Sequence, residues 1–175
     1  MSTKQFSRLT LGSCLFLLVF LLPAIAAGQD IAYEPYHPLK GLRGVYVIGA
    51  DVQSDVETSF LNKKLLLTDV ELHLIKSGVP LLNEQTWLLT EGSPALFLDV
   101  STSENELGLY GYSVRLELQE LVTPLSNTDV TTYGTIWSHH KVGIIGDKDV
   151  DEIRDVVKEV TGQFIRDYLA ANGAR

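Results

Sequence analysis

Leu107-Gly108-Leu109-Tyr110-Gly111-Tyr112-Ser113-Val114-Arg115-Leu116-Glu117-Leu118 is the stretch on which the fold turns. Tyr110, Tyr112, Val114, Leu116 and Leu118 are apolar or aromatic at every second position, and Gly111, Ser113, Arg115 and Glu117 stand between them. A period of two over that length is a strand with one buried and one wetter face. Thr123 to Asp129 is polar and contains Pro124, and Val130 to Trp137 is a second β-rich run. Two such runs joined by a turn predict a long antiparallel hairpin. His139 to Gly146 prolongs the second strand or makes one more short one.

Working upstream, Ala95 to Thr102 alternates in the same way, with Leu96, Leu98 and Val100 set against Ala95, Phe97 and Asp99. Leu81 to Leu89, with Trp87, reads as a strand or an irregular edge segment, closed by the turn Thr90 to Pro94. Leu42 to Ile48 is a short first strand, and Gly28 to Lys40, with Tyr33, Pro35, Tyr36 and Pro38, is an extended arm.

Between them a helix is predicted, opened by Asn62 as N-cap and stopped before Gly78. Leu66, Leu67, Val70 and Leu74 form its core-facing stripe. Leu65 and Leu72 fall nearly opposite and mark a candidate interface, unless the arm or a loop covers them. A closing helix is expected from about Val150 to Ala171. Asp149 and Glu152 suggest its capping box, and Ile153, Val157, Val160, Phe164 and Tyr168 its apolar stripe, with Gly162 on the polar side.

The order is β-α-β-β-β-β-α. The economical architecture is a two-layer α/β sandwich, with two helices on one face of a mixed, largely antiparallel sheet of about five strands. If both helices cover one face, the other is free. Alternation assigns Val130, Thr132, Gly134 and Ile136 to the helix side, because Gly134 lets a helix come close. Tyr133 and Trp137, with Phe97, then form an open aromatic surface and the candidate binding site, an assignment that a one-residue slip reverses.

Residues 1–27 carry an address. Lys4 and Arg8 begin it, Leu11 to Leu22 is apolar, and Pro23-Ala24-Ile25-Ala26-Ala27 is a small-residue exit. This is the layout of a secretory signal peptide cut after Ala26 or Ala27. The apolar run falls short of the roughly 20 residues that a membrane-spanning helix uses, so an uncleaved anchor is the lesser alternative. Cys14 precedes the apolar run, which argues against lipidation there.

Cleavage removes two basic residues and no acidic one, taking the formal charge below the −8 of the whole chain. It also removes the only cysteine, leaving a single α/β domain over residues 41–175 held by packing alone. No Asn-x-Ser/Thr site is present. Both absences lean toward a bacterial periplasm, so the expected location is periplasmic or secreted, without a stable membrane span. An acidic chain with no basic run is a poor nucleic-acid binder.

Four segments carry a resemblance: Leu42 to Val47, Thr68 to Leu72 with Gly78, Gly108 to Ser113, and Thr135 to Ser138. Through them most of the mature chain resembles a group of uncharacterised exported bacterial proteins. The element order is similar to small α/β domains of bacterial envelope proteins: the amino-terminal domain of the Tol-system propeller protein, the curli secretion channel protein and the penicillin-binding-protein activator lipoproteins. The resemblance implies a fold and an envelope setting, and no activity.

No pattern names a reaction. His139 and His140 are adjacent in a strand, so they point to opposite faces and do not suit a metal. Ser138 beside His139 lacks the strained elbow of a serine hydrolase. Asp99, Arg115 and Glu117 read as a cross-strand ion pair before they read as acid–base machinery. The acidic cluster from Asp147 to Asp155 is explained by helix capping and lacks a calcium-loop pattern. No cofactor motif appears. The reading is therefore an exported binding or accessory protein of the cell envelope, with an envelope protein or a second copy as partner. The alternative is a small periplasmic hydrolase or metal-dependent enzyme.

Overall fold

The computed structural model describes residues 37–49, 62–146 and 151–173. A 3-10 turn at His37–Leu39 leads into strand β1 (Tyr46–Gly49), helix α1 (Lys63–Lys76) and helix α2 (Glu84–Leu89). Strands β2 (Ala95–Glu104), β3 (Leu109–Val122) and β4 (Thr132–Gly146) follow, and helix α3 (Ile153–Asn172) closes the order. Residues 1–36, with the expected signal and most of the arm, lie outside the described residues, as does Asp149.

The sheet runs β1-β2-β3-β4, parallel between the first two strands and antiparallel thereafter. It is mixed and largely antiparallel, with four strands where about five are expected. The difference lies at Leu81–Leu89. Only Leu81 forms a bridge, to Val45 just before β1, and Glu84–Leu89 is α2. Asn83 accepts from the Thr86 amide while the Thr86 hydroxyl accepts from the Asn83 amide, a reciprocal cap at 2.9 and 3.0 Å that starts the helix.

α1 and α3 lie together on one face. Leu66, Val70 and Leu74 of α1 are buried, and so are Ile153, Val157, Val160, Phe164 and Tyr168 of α3. They meet Leu96, Leu98 and Val100 of β2 and Val114, Leu116 and Leu118 of β3, all buried. Each such side chain contributes roughly 1.5–3 kcal/mol on leaving water, so the α3 stripe is a large share of the core. Gly162 faces α1 rather than solvent: a Cβ there would stand 3.7 Å from the His73 ring.

Both ends of α1 are closed as the sequence suggests. Asn62 accepts from the Leu65 amide at 2.8 Å. At the other end the Gly78 amide donates to the Ile75 carbonyl and the Val79 amide to that of Leu74. Gly78 has φ +79°, and Val79 and Leu74 are both buried, which completes a Schellman motif.

The alternation of β4 breaks once. Leu118 pairs with Trp137 and Gln119 with Thr135, which leaves Ile136 unpaired as a bulge. Gly134 and Thr132 therefore sit on the helix side and Tyr133 on the other, as alternation predicts. Beyond the bulge the parity reverses, and Trp137 turns to the helices instead of the open face. Gly134 is crowded by a neighbouring strand and not by a helix, since a Cβ there would come 2.6 Å from Val122 Cγ2.

The last residues of the expected arm are not extended. Leu39 is buried, and α3 fixes the segment after it: Asn172 Nδ2 donates to the Leu39 carbonyl, Gly41 N to Asn172 Oδ1, and Tyr168 Oη to the Leu42 carbonyl.

Candidate functional site

The three proposed aromatic residues do not meet. Phe97 and Tyr133 are on the face opposite α1 and α3. Phe97 pairs with Glu117, itself opposite Ser138, whereas Tyr133 pairs with Leu121, past the end of β2. Trp137 is 7% exposed on the other side, edge-on to Phe164 with ring centroids 5.1 Å apart. Its Nε1 donates to Asp167 Oδ2 at 2.9 Å, and Gln163 donates to the other oxygen. It is a core residue with a satisfied polar edge. On α1, Leu72 is exposed and Leu65 half-buried.

The sheet face left by the helices is unevenly covered. At the β1 corner α2 reaches round it: Trp87 stacks on Tyr46 at 4.9 Å, and Ala95 is buried. Further across lies a polar centre. Arg115 bonds Asp99 at 3.0 Å and approaches Glu117 at 3.6 Å, while Gln119 and Thr135 both donate to Glu117. This is the cross-strand ion pairing expected from the sequence. Along β4 the same face is bare: Tyr133, Thr135, Ser138, His140, Val142 and Ile144 are all exposed. The aliphatic pair stands out, at 70% for Val142 and 71% for Ile144. Leu109 adds to it, and Gly111, opposite Ile144, raises no wall beside it.

β4 is also the outer strand of the sheet. Among the described residues no backbone hydrogen bond reaches its outer edge. Near the bulge a groove of about 410 Å³ runs between that edge and α3, lined by Pro38, Ile136, Trp137, His139, Gln163 and Asp167.

A larger cleft, about 560 Å³, opens at the end of the sheet where the Pro38–Arg43 loop faces the Thr90–Pro94 turn. Sequence gives no local signal for it, because its walls come from separate segments. Gly92 and Ser93 both have positive φ, and Ser93, at +44°, is the only such non-glycine among the described residues. Glu120 forms part of the floor. Burial raises its pKa from the ordinary 4.5, and no hydrogen bond or ion pair reaches its carboxyl group among the described residues. Lys40, Arg43 and Glu91 stand exposed around the mouth.

Ser138 and His139 project to opposite faces, so they form no nucleophile–base pair. His140 points away from His139, and among the described residues no three His, Cys, Asp or Glu side chains converge as metal ligands would. Among those residues no helix is long and apolar enough to cross a membrane.

No family model matches the chain, and no curated protein matches it by sequence. Among solved structures it is similar to a PelC dodecamer from Paraburkholderia phytofirmans, at 16% identity and a TM-score of 0.39, over 76% of this chain and 90% of that one. A minor lipoprotein from Acinetobacter baumannii gives 15% identity and a TM-score of 0.30, over 71% and 90%. A hypothetical protein from Chlamydia trachomatis gives 10% and 0.33, over 73% and 94%. Likeness at this level carries no argument about function.

Proposed function

We propose that this chain is an exported, non-catalytic binding or accessory protein of the bacterial cell envelope, and that β4 is its working surface. One observation carries the choice of surface: all six side chains that β4 sends to the open face are exposed, beside an outer edge that no described strand pairs. Strand edges of this kind recruit partners through main-chain hydrogen bonds, with the alternate side chains adding contact area. The export half of the reading rests on residues 1–27.

A pull-down from envelope extract tests the surface, comparing the wild type with Val142→Asp/Ile144→Asp. The expected result is a partner lost by the variant, whose melt stays within about 1 kcal/mol of the wild type because both positions are exposed. Unchanged recovery of every partner removes β4 as the working surface. Mass spectrometry of the same protein, expressed from the full chain, checks export, and retention of residues 1–26 would sink that half.

A further inference from the structure

We infer that two copies of this chain join β4 to β4, antiparallel about a two-fold axis at Gly143, so that the two sheets become one. The inference rests on β4 being the docking surface and names its occupant.

Edge strands are ordinarily guarded by bulges, prolines, outward lysines or a covering segment. The first half of β4 has such guards, in the Ile136 bulge and in Pro38 across the groove. The second half, His139 to Gly146, has neither bulge nor proline. Its one lysine, Lys141, is turned to the helix side, where it pairs with Glu159. This stretch, unguarded among the described residues, is also the one that carries Val142 and Ile144.

Charge favours a second copy there. The chain has a formal charge of −8, so two copies repel over most of their surface. β4 has no Asp or Glu in its 15 residues. It offers a long edge along which two acidic chains can meet without bringing carboxylates from that strand together.

Register then selects the axis. In an antiparallel pair, residues directly opposite share a face, so a two-fold must pass through a residue position. Centred on Gly143, it sets Val142 against Ile144 of the second copy and Ile144 against its Val142. The two pairs make one four-residue aliphatic cluster on the open face. Lys141 falls opposite Ile145, and His140 opposite Gly146. Moving the centre to Lys141 would oppose lysine to lysine and Val142 to His140, and like charges directly opposite are unfavourable. Moving it to Ile145 would waste Ile144 on Gly146. Gly143 also cannot readily be replaced, because the Tyr112 ring occupies the place of its side chain, with Oη 2.5 Å from a Cβ built there.

Sedimentation equilibrium on protein expressed from the full chain, at up to about 100 µM, tests association. The expected result is a dimer for the wild type and a monomer for Val142→Asp/Ile144→Asp. Val142→Thr/Ile144→Thr, which keeps β-branched residues, replaces the aspartate variant if that one disturbs the fold, and should weaken the dimer at least tenfold. Register is tested by oxidation in a Cys14→Ser background: Val142→Cys/Ile144→Cys should form a covalent dimer and His140→Cys should not. A monomeric wild type overturns the proposal. So does a dimer that survives these variants, and one broken instead by Leu72→Asp moves the interface to α1. A monomer that still loses its partner with the double aspartate sinks self-pairing alone. A dimer broken without loss of any partner keeps self-pairing and removes the partner reading.

Discussion

Trp137 ties β4 to α3 in two ways, through its edge-on packing against Phe164 and through the bond from its indole to Asp167. Replacing it by Ala empties a well-packed site and should cost about 3–5 kcal/mol. Replacing it by Phe keeps much of the packing and loses the hydrogen bond, for about 1–2 kcal/mol. Urea melts of the two variants check the split, and equal losses would mean that the ring's packing contributes little beyond the hydrogen bond. Glu120 answers to pH instead. Its folded pKa is raised, so the native state holds the proton more tightly than the unfolded chain does. The resulting destabilisation is absent below the unfolded pKa and complete above the folded one. Glu120→Gln should therefore raise the melting temperature at about pH 7 and leave it nearly unchanged at about pH 3. A gain of equal size at both values would point to packing rather than ionisation.

Between elements, the join of α1 to α3 depends on more than apolar contact. Arg154 reaches across to Asp69 with two hydrogen bonds, from Nε at 2.8 Å and from a terminal nitrogen at 3.0 Å. Both side chains are largely covered, so solvent screens the pair less than it would a surface bridge. Asp69→Ala should cost about 1–3 kcal/mol, and a double-mutant cycle with Arg154→Ala should recover most of that as coupling. Additive losses would show the two residues acting separately. The elements themselves were legible where their signals are local. Asn62 and Gly78 bracket α1, and strict alternation marks β2 and β3. α2 was not legible, because six residues are too few to display a helical period. Its cap also uses Thr86 where the usual pattern has Glu or Gln.

For the molecule as a whole, a period of two was enough to place Phe97 and Tyr133 on the open face, and it failed for Trp137. A bulge leaves no mark that distinguishes Ile136 from its neighbours, yet it rotates every later side chain of β4. The Val142–Ile144 strip is therefore visible only after pairing is known. The cleft at Glu120 was illegible for a different reason, since contact across the fold brings its walls together. Another contact across the fold governs how the domain would behave under tension. The loop around Leu39 to Leu42 is held directly by Tyr168 and Asn172 near the end of α3. A pull applied through residues 37 and 173 would thus be resisted first by a few side-chain bonds at one corner. They would give way one after another, and the long β2-β3-β4 ladder would hardly feel the strain until α3 had peeled away.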